Sequence, residues 1–173
     1  MPDTAMDLTR DLDRLALQAQ RLQFPHFDGD TAWALGSRLR ALAEAARTPV
    51  TVEMRVGGHT VFFHAMAGTQ PANADWARRK RNTVELMHRS SYRVGRELLR
   101  DNTSLDAMMG LPLRDYCANG GAVPLQVAGA GVIGVVTVSG LPERDDHDLA
   151  VQAIAELCGV PLAEVALDRV AAA

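Results

Sequence analysis

Only two cysteines occur in the 173 residues, Cys117 and Cys158, and they are too far apart for any C-x-x-C pair. A disulfide framework and a zinc knuckle are therefore unsupported, and a reducing compartment is expected. No apolar run approaches the roughly 20 residues needed to span a bilayer. The opening segment MPDTAMDLTRDLDR is polar and acidic, where a signal peptide is basic and then apolar, so a cytoplasmic location is expected and no membrane contact. Excess positive charge is also missing: the formal charge is −3, which does not favour non-specific binding to nucleic acid. There are no internal repeats, low-complexity stretches or linkers, and a hydrophobic content of 47% suffices for one well-buried domain over residues 1–173.

What is present is organised around Ala122 to Gly140, the one long run rich in β-branched residues and glycine with almost no charge. Gly129, Gly131 and Gly134 spell G-x-G-x-x-G, the spacing that cradles a dinucleotide pyrophosphate when a helix follows. Here Val135, Val136, Thr137 and Val138 follow, then Gly140 and Pro142. That pattern predicts a hairpin, with strands over about 122–128 and 132–139 and a glycine turn between them. Pro124 has no N–H to give a ladder and points to an edge strand. In the return strand, Val132, Val136 and Val138 share one face, and Ile133, Val135 and Thr137 the other. Both faces call for cover, from helices on one side and from more helices or a partner subunit on the other.

Upstream, Leu8, Leu12, Leu15, Ala19 and Leu22 recur at helical spacing and predict a helix over about 4–23, stopped by Phe24-Pro25. Asp28 or Asp30 caps a second helix with Leu35, Leu39 and Leu42 in its stripe, ended by Thr48-Pro49. The period then becomes two from Val50 to Val56, Gly57-Gly58 forms a tight turn, and His59 to Met66 returns. A two-residue turn sets Met54 opposite Val61 and Val52 opposite Phe63 on the buried side, with His64 on the less apolar face. A single long helix is predicted over about 75–100, with Arg78, Arg79, Lys80 and Arg81 in its first turns. These cations suit either an anion or salt bridges. After a short helical connection and the central hairpin, Asp145 to Leu157 forms a last helix, broken at Gly159 and Pro161, with a short tail helix beyond.

The densest group of metal-ligand types is Asp145, Asp146, His147 and Asp148. Successive helical residues diverge by about 100°, so these cannot converge on one ion and no metal is expected. Ser90-Ser91 follows His88 without the strand-turn-helix elbow of an activated serine. No catalytic set emerges.

Taken in order, Asp30 to Gly36 (DTAWALG), Phe62-Phe63, Ala67 to Thr69, Asn73 to Asn82 (NADWARRKRN), Ser90-Ser91, Gly120 to Pro124, Gly131 to Gly134, Val138 to Pro142 and Asp146-His147 resemble the haem-degrading or HbpS/GlcG-like family, and more closely its UPF0303 subfamily. The resemblance runs from about Leu22 to Cys158. It departs from the family at Ala122, where a third glycine is common, which narrows any pocket floor. It implies an α/β (α+β) sandwich, profilin- or PAS-like, with an antiparallel sheet of about five strands flanked by helices and assembled as a homo-oligomer of dimers. It also implies binding of a small, anionic ligand, with haem the candidate cofactor. Under that reading Asn73, Trp76, Arg79 and Lys80 supply a stacking surface and anion donors, Gly120 and Gly121 admit close backbone approach, and Asp146 and His147 line the rim. The alternatives are an enzyme that degrades haem or modifies a small metabolite, with His147 as acid or base, and a protein-interaction module.

Overall fold

The computed structural model describes residues 5–168. Helix α1 (Ala5–Arg21) follows the leucine stripe, and its expected start at residue 4 lies outside the described residues. In α2 (Gly29–Ala46) the cap is Asp28, whose carboxylate accepts the Thr31 N–H at 2.9 Å. That bond satisfies one of the donors that every helix start leaves orphaned.

Strands β1 (Thr51–Val56) and β2 (His59–Ala65) form the first hairpin, and β3 (Ala122–Val127) and β4 (Gly131–Ser139) the second. They join as one antiparallel sheet in the order β2-β1-β4-β3. Gly129 and Gly131, with φ of +79° at each, turn the second hairpin, and Gly134 lies within β4, so no helix opens after the G-x-G-x-x-G spacing. Pro124 sits on the outer strand as expected. The described residues contain four strands rather than about five. Beyond β3 only Phe24 pairs, its N–H donating to Gln126 O at 2.8 Å and its carbonyl accepting from Ala128 N at 2.9 Å. Pro25 has no N–H, which stops that ladder after one residue.

The first hairpin keeps the two-residue turn but not the expected register. Val56 faces His59 and Arg55 faces Thr60; then Val61 is left over, Met54 faces Phe62 and Val52 faces His64. This bulge reverses the two faces of β2. Phe62 points to the core face, over Gly36 of α2 where any Cβ would strike its ring, and edge-on to Trp33 with centroids 6.0 Å apart. Phe63 is turned outward and 52% exposed, and His64 lies on the core side rather than the less apolar one.

On that core face Val52, Met54, Leu125, Val136 and Val138 pack against Leu35 and Leu39 of α2 and against Ala150, Val151 and Ile154 of α6 (Glu143–Cys158). Each fully buried aliphatic side chain contributes about 1.5–3 kcal/mol. The opposite face is covered by α3 (Pro71–Met87), where Val84 meets Ala122 and Val135. The doubly apolar strand is thus shielded within one chain. The single helix expected over 75–100 is two: α3 ends at His88 in the left-handed region (φ 54°), and Ser90 caps α4 (Ser91–Arg100), its hydroxyl accepting Arg93 N–H at 3.3 Å. A serine oxygen offers the backbone a local partner, which favours a new helix start over continuation. Helices α5 (Leu105–Met109) and α7 (Leu162–Val165) complete the fold.

Candidate functional site

The run Arg78 to Arg81 does not act as one cationic patch, because helical rotation spreads the four side chains over several carboxylates. Arg78 meets Asp75 and Asp115, both at 3.0 Å, Arg79 meets Asp75 at 3.1 Å, and Arg81 meets Glu53 at 2.7 Å. Lys80 alone is driven inward. Its ammonium donates to Asp146 Oδ2 at 2.7 Å and to the Val138 carbonyl at 3.2 Å, with side-chain exposures of 5% and 1% for the lysine and aspartate.

Asp146 stands in the first turn of α6 and accepts two further donors from the strand end, Leu141 N–H at 3.0 Å and Gly140 N–H at 3.4 Å. Burial pushes its carboxyl above the ordinary range, opposed by the Lys80 charge and these hydrogen bonds. A buried pair gains little over an apolar one because desolvation offsets the attraction, but it tolerates no loss of a single partner. It ties α3, β4 and α6 together at one point.

Gly120 and Gly121 serve this junction. A Cβ on Gly121 would run into the Val138 carbonyl and come within 2.8 Å of Lys80 Nζ, and its φ is +126°. A Cβ on Gly120 would strike the Glu143 carbonyl and lie 2.8 Å from the Tyr92 ring. The glycine pair is therefore required by packing inside the chain.

Above the ion pair opens a hollow of about 240 Å³, lined by Asn73, Trp76, Lys80, Asn119, Ser139, Gly140, Leu141, Glu143 and Asp146. Trp76 is 39% exposed, with the Arg79 guanidinium 3.7 Å from its ring centre. Asn73 spends its side-chain oxygen on Gln70 N–H at 2.8 Å as part of the α3 cap. Glu143 is held by Arg96 and Asn119, each at 3.3 Å. Asn73, Trp76, Lys80 and Asp146 thus come together around one hollow, Arg79 backs the tryptophan, and Gly120 and Gly121 lie beneath.

His147 does not line the rim. It is fully buried on the other side of α6, stacked on Tyr92 with centroids 5.1 Å apart, and its Nε2 lies 2.9 Å from Gln18 Oε1. The Gln18 amide NH₂ donates to the Val165 carbonyl at 2.8 Å, so its oxygen faces the ring and Nε2 carries the hydrogen. Nδ1 has no partner. Burial, and then the nearby Arg144 charge, push the imidazole down to about 3. A neutral ring sealed from solvent cannot reach a substrate, which removes it as acid or base.

The sequence reading missed the companions of His147. Arg144 donates to Asp11 at 2.7 Å and to the Tyr92 hydroxyl at 3.0 Å, joining α1, α4 and α6. These residues are scattered through the chain, and no local pattern connects them.

A family model described as haem degrading protein, HbpS-like, matches residues 27–155. A UPF0303 protein of Azotobacter vinelandii is 55% identical over 166 residues, covering 96% of this chain and 100% of that one. A UPF0303 protein of Serratia proteamaculans is 46% identical over 160 residues, covering 92% and 99%. Among solved structures, the Ybr137w protein is similar with a TM-score of 0.79 and 24% identity, over 86% of this chain and 87% of that one. HbpS follows with a TM-score of 0.60 and 21% identity, over 78% and 92%. A PduOC:Heme complex has a TM-score of 0.56 and 19% identity, over 90% and 94%. At these identities the structural likeness speaks to the fold alone. Among the described residues no helix is long and apolar enough to cross a membrane.

Proposed function

Because this chain belongs to the HbpS-like haem-degrading protein family, whose model spans residues 27–155, we propose that it binds a small ligand, and that the ligand is an anion seated in the hollow over Lys80 and Asp146. The observation that carries this reading is a nearly buried ammonium at the floor of a polar hollow beside a part-exposed indole. An ammonium has three N–H donors, and Asp146 and Val138 account for two of them.

Size limits the ligand. A volume of about 240 Å³ is under the roughly 300 Å³ at which pockets begin to take drug-sized molecules. Haem does not fit here: the lining holds no His, Cys, Met or Tyr to supply an axial donor, and His147 is enclosed elsewhere. The family and the neighbour solved with heme support a second reading, in which haem binds outside the hollow, with His64 and His88 as the candidate axial donors.

The two tryptophans make the test direct. In a Trp33→Phe protein, Trp76 is the sole indole, and its emission is followed during titration with inorganic phosphate and with succinate. Saturable quenching by either, abolished in Lys80→Met, is the expected result. No response to either anion, together with a saturable Soret shift on adding hemin that His64→Ala or His88→Ala removes, would replace this reading with the second.

The protein acts as a homo-oligomer in this proposal. Support comes from the edge strand β2, whose outward Val61 and Phe63 are 45% and 52% exposed, and from Trp33, 70% exposed on the neighbouring helix. Light scattering on Phe63→Glu should give a smaller mass than the unaltered protein, and an equal mass would remove β2 as the contact.

A further inference from the structure

A second cavity, of about 110 Å³, lies against α1 and shares no lining residue with the hollow. One part of its wall is hydrocarbon, from Leu15 and Ala19 of α1, Leu22 just after that helix, and Val123 and Pro124 of β3; the rest is Gln18, His88, Arg89, Ser90, Arg93 and Gln126. The roof is an element outside the residues that the family model matches.

The polar groups that reach this cavity are mostly occupied. The Gln18 amide is committed to Val165 and His147, the Gln126 amide donates to the Ala19 carbonyl at 3.2 Å, and the Ser90 hydroxyl caps α4. What remains unbalanced is charge. Arg89 and Arg93 both line the cavity, and both pair with one carboxylate, Glu97, at 2.7 and 2.9 Å. Two cations on one anion leave a single positive charge beside an apolar chamber.

We propose that this cavity binds a short-chain aliphatic carboxylate, with its hydrocarbon among Leu15, Leu22 and Val123 and its carboxylate on Arg93 and Arg89. One ligand carboxylate balances the charge, and guanidinium is suited to a planar carboxylate. The volume sets the chain length: an apolar cavity of about 150 Å³ accommodates a six-carbon ring, so this one suits roughly four to six carbons.

Isothermal titration of the full chain with pentanoate tests the proposal, with 1-pentanol as the uncharged control. Saturable binding of pentanoate is expected, weakened at least about tenfold in Arg93→Gln, as the loss of a charge-assisted hydrogen bond requires. Ala19→Phe, which fills the chamber, should abolish binding, and Trp76→Ala, which alters only the hollow, should leave it unchanged. Should Ala19→Phe fail to fold, nuclear Overhauser contacts from pentanoate to the methyl groups of Leu15, Leu22 and Val123 in the unaltered protein answer the same question. Absence of saturable binding at millimolar pentanoate, equal affinity for pentanol, or loss of binding in Trp76→Ala would each overturn the proposal. Only the last of these outcomes bears on the hollow, since it would seat the carboxylate beside Trp76 instead.

Discussion

Acid should loosen this protein through His147, and the size of the effect follows from its surroundings. The folded protein holds the ring neutral, fully buried, with a pKa pushed down to about 3, whereas an unfolded chain leaves it near 6.5. Between those values the unfolded state binds a proton that the folded state refuses, so stability falls as pH falls through the window. The slope is about 1.4 kcal/mol per pH unit, and going from pH 7 to pH 4.5 removes roughly 2.5 kcal/mol. That is a large share of the 5–15 kcal/mol by which domains are usually stable.

The comparison that isolates His147 is His147→Phe, which keeps a ring against Tyr92 but cannot take a proton. Leaving Gln18 Oε1 without its partner costs about 1–3 kcal/mol, but that cost does not depend on pH. Asp146, whose raised carboxyl pKa favours the fold as pH falls, is present in both proteins and cancels in the difference. Urea unfolding at half-unit intervals from pH 7 to 4.5 should therefore show two curves that converge as pH drops, the variant starting lower and losing less. Parallel curves would mean that the ring is hydrated or already charged in the folded protein, and the burial argument would be wrong.

Three further outcomes follow from the same packing. Lys80→Met alone and Asp146→Leu alone should each cost about 3–5 kcal/mol because each strands a buried charge, while the double variant should recover most of that loss; additive losses in chemical denaturation would refute a coupled pair. Gly121→Ala combines a left-handed backbone with a clash against the Val138 carbonyl and should destabilise by at least about 2 kcal/mol, and a melting temperature within a degree of the parent would contradict it. Gly159→Ala, at a C-cap with φ of 67° and open space around it, should cost only about 1 kcal/mol, which separates backbone strain from crowding.

Local sequence was sufficient wherever a single period or a single residue decides the outcome. The leucine stripe of α1, an aspartate cap on α2 at Asp28 or Asp30, the Gly57-Gly58 turn and the glycine hairpin between β3 and β4 are all short-range effects, and they were legible in the chain itself, the structure choosing Asp28. So was the demand of β4 for cover on both faces, since alternation along one strand shows both sides at once. The gathering of Asn73, Trp76, Lys80 and Asp146 around one hollow came from resemblance to a family, because no spacing in the chain brings residue 80 to residue 146.

Tertiary structure decided what depends on partners far along the chain. The bulge at Val61 exists because Phe62 finds room over Gly36, so a contact with another helix reversed the faces of β2. Of four consecutive cations, one was buried because Asp146 and the Val138 carbonyl await it, and its three neighbours pair with Asp75, Asp115 and Glu53. Adjacent residues on α6 met opposite fates, Asp146 at the floor of a hollow and His147 in a closed interior, since a helix turns successive side chains by about 100° and only the neighbouring elements determine what each one meets.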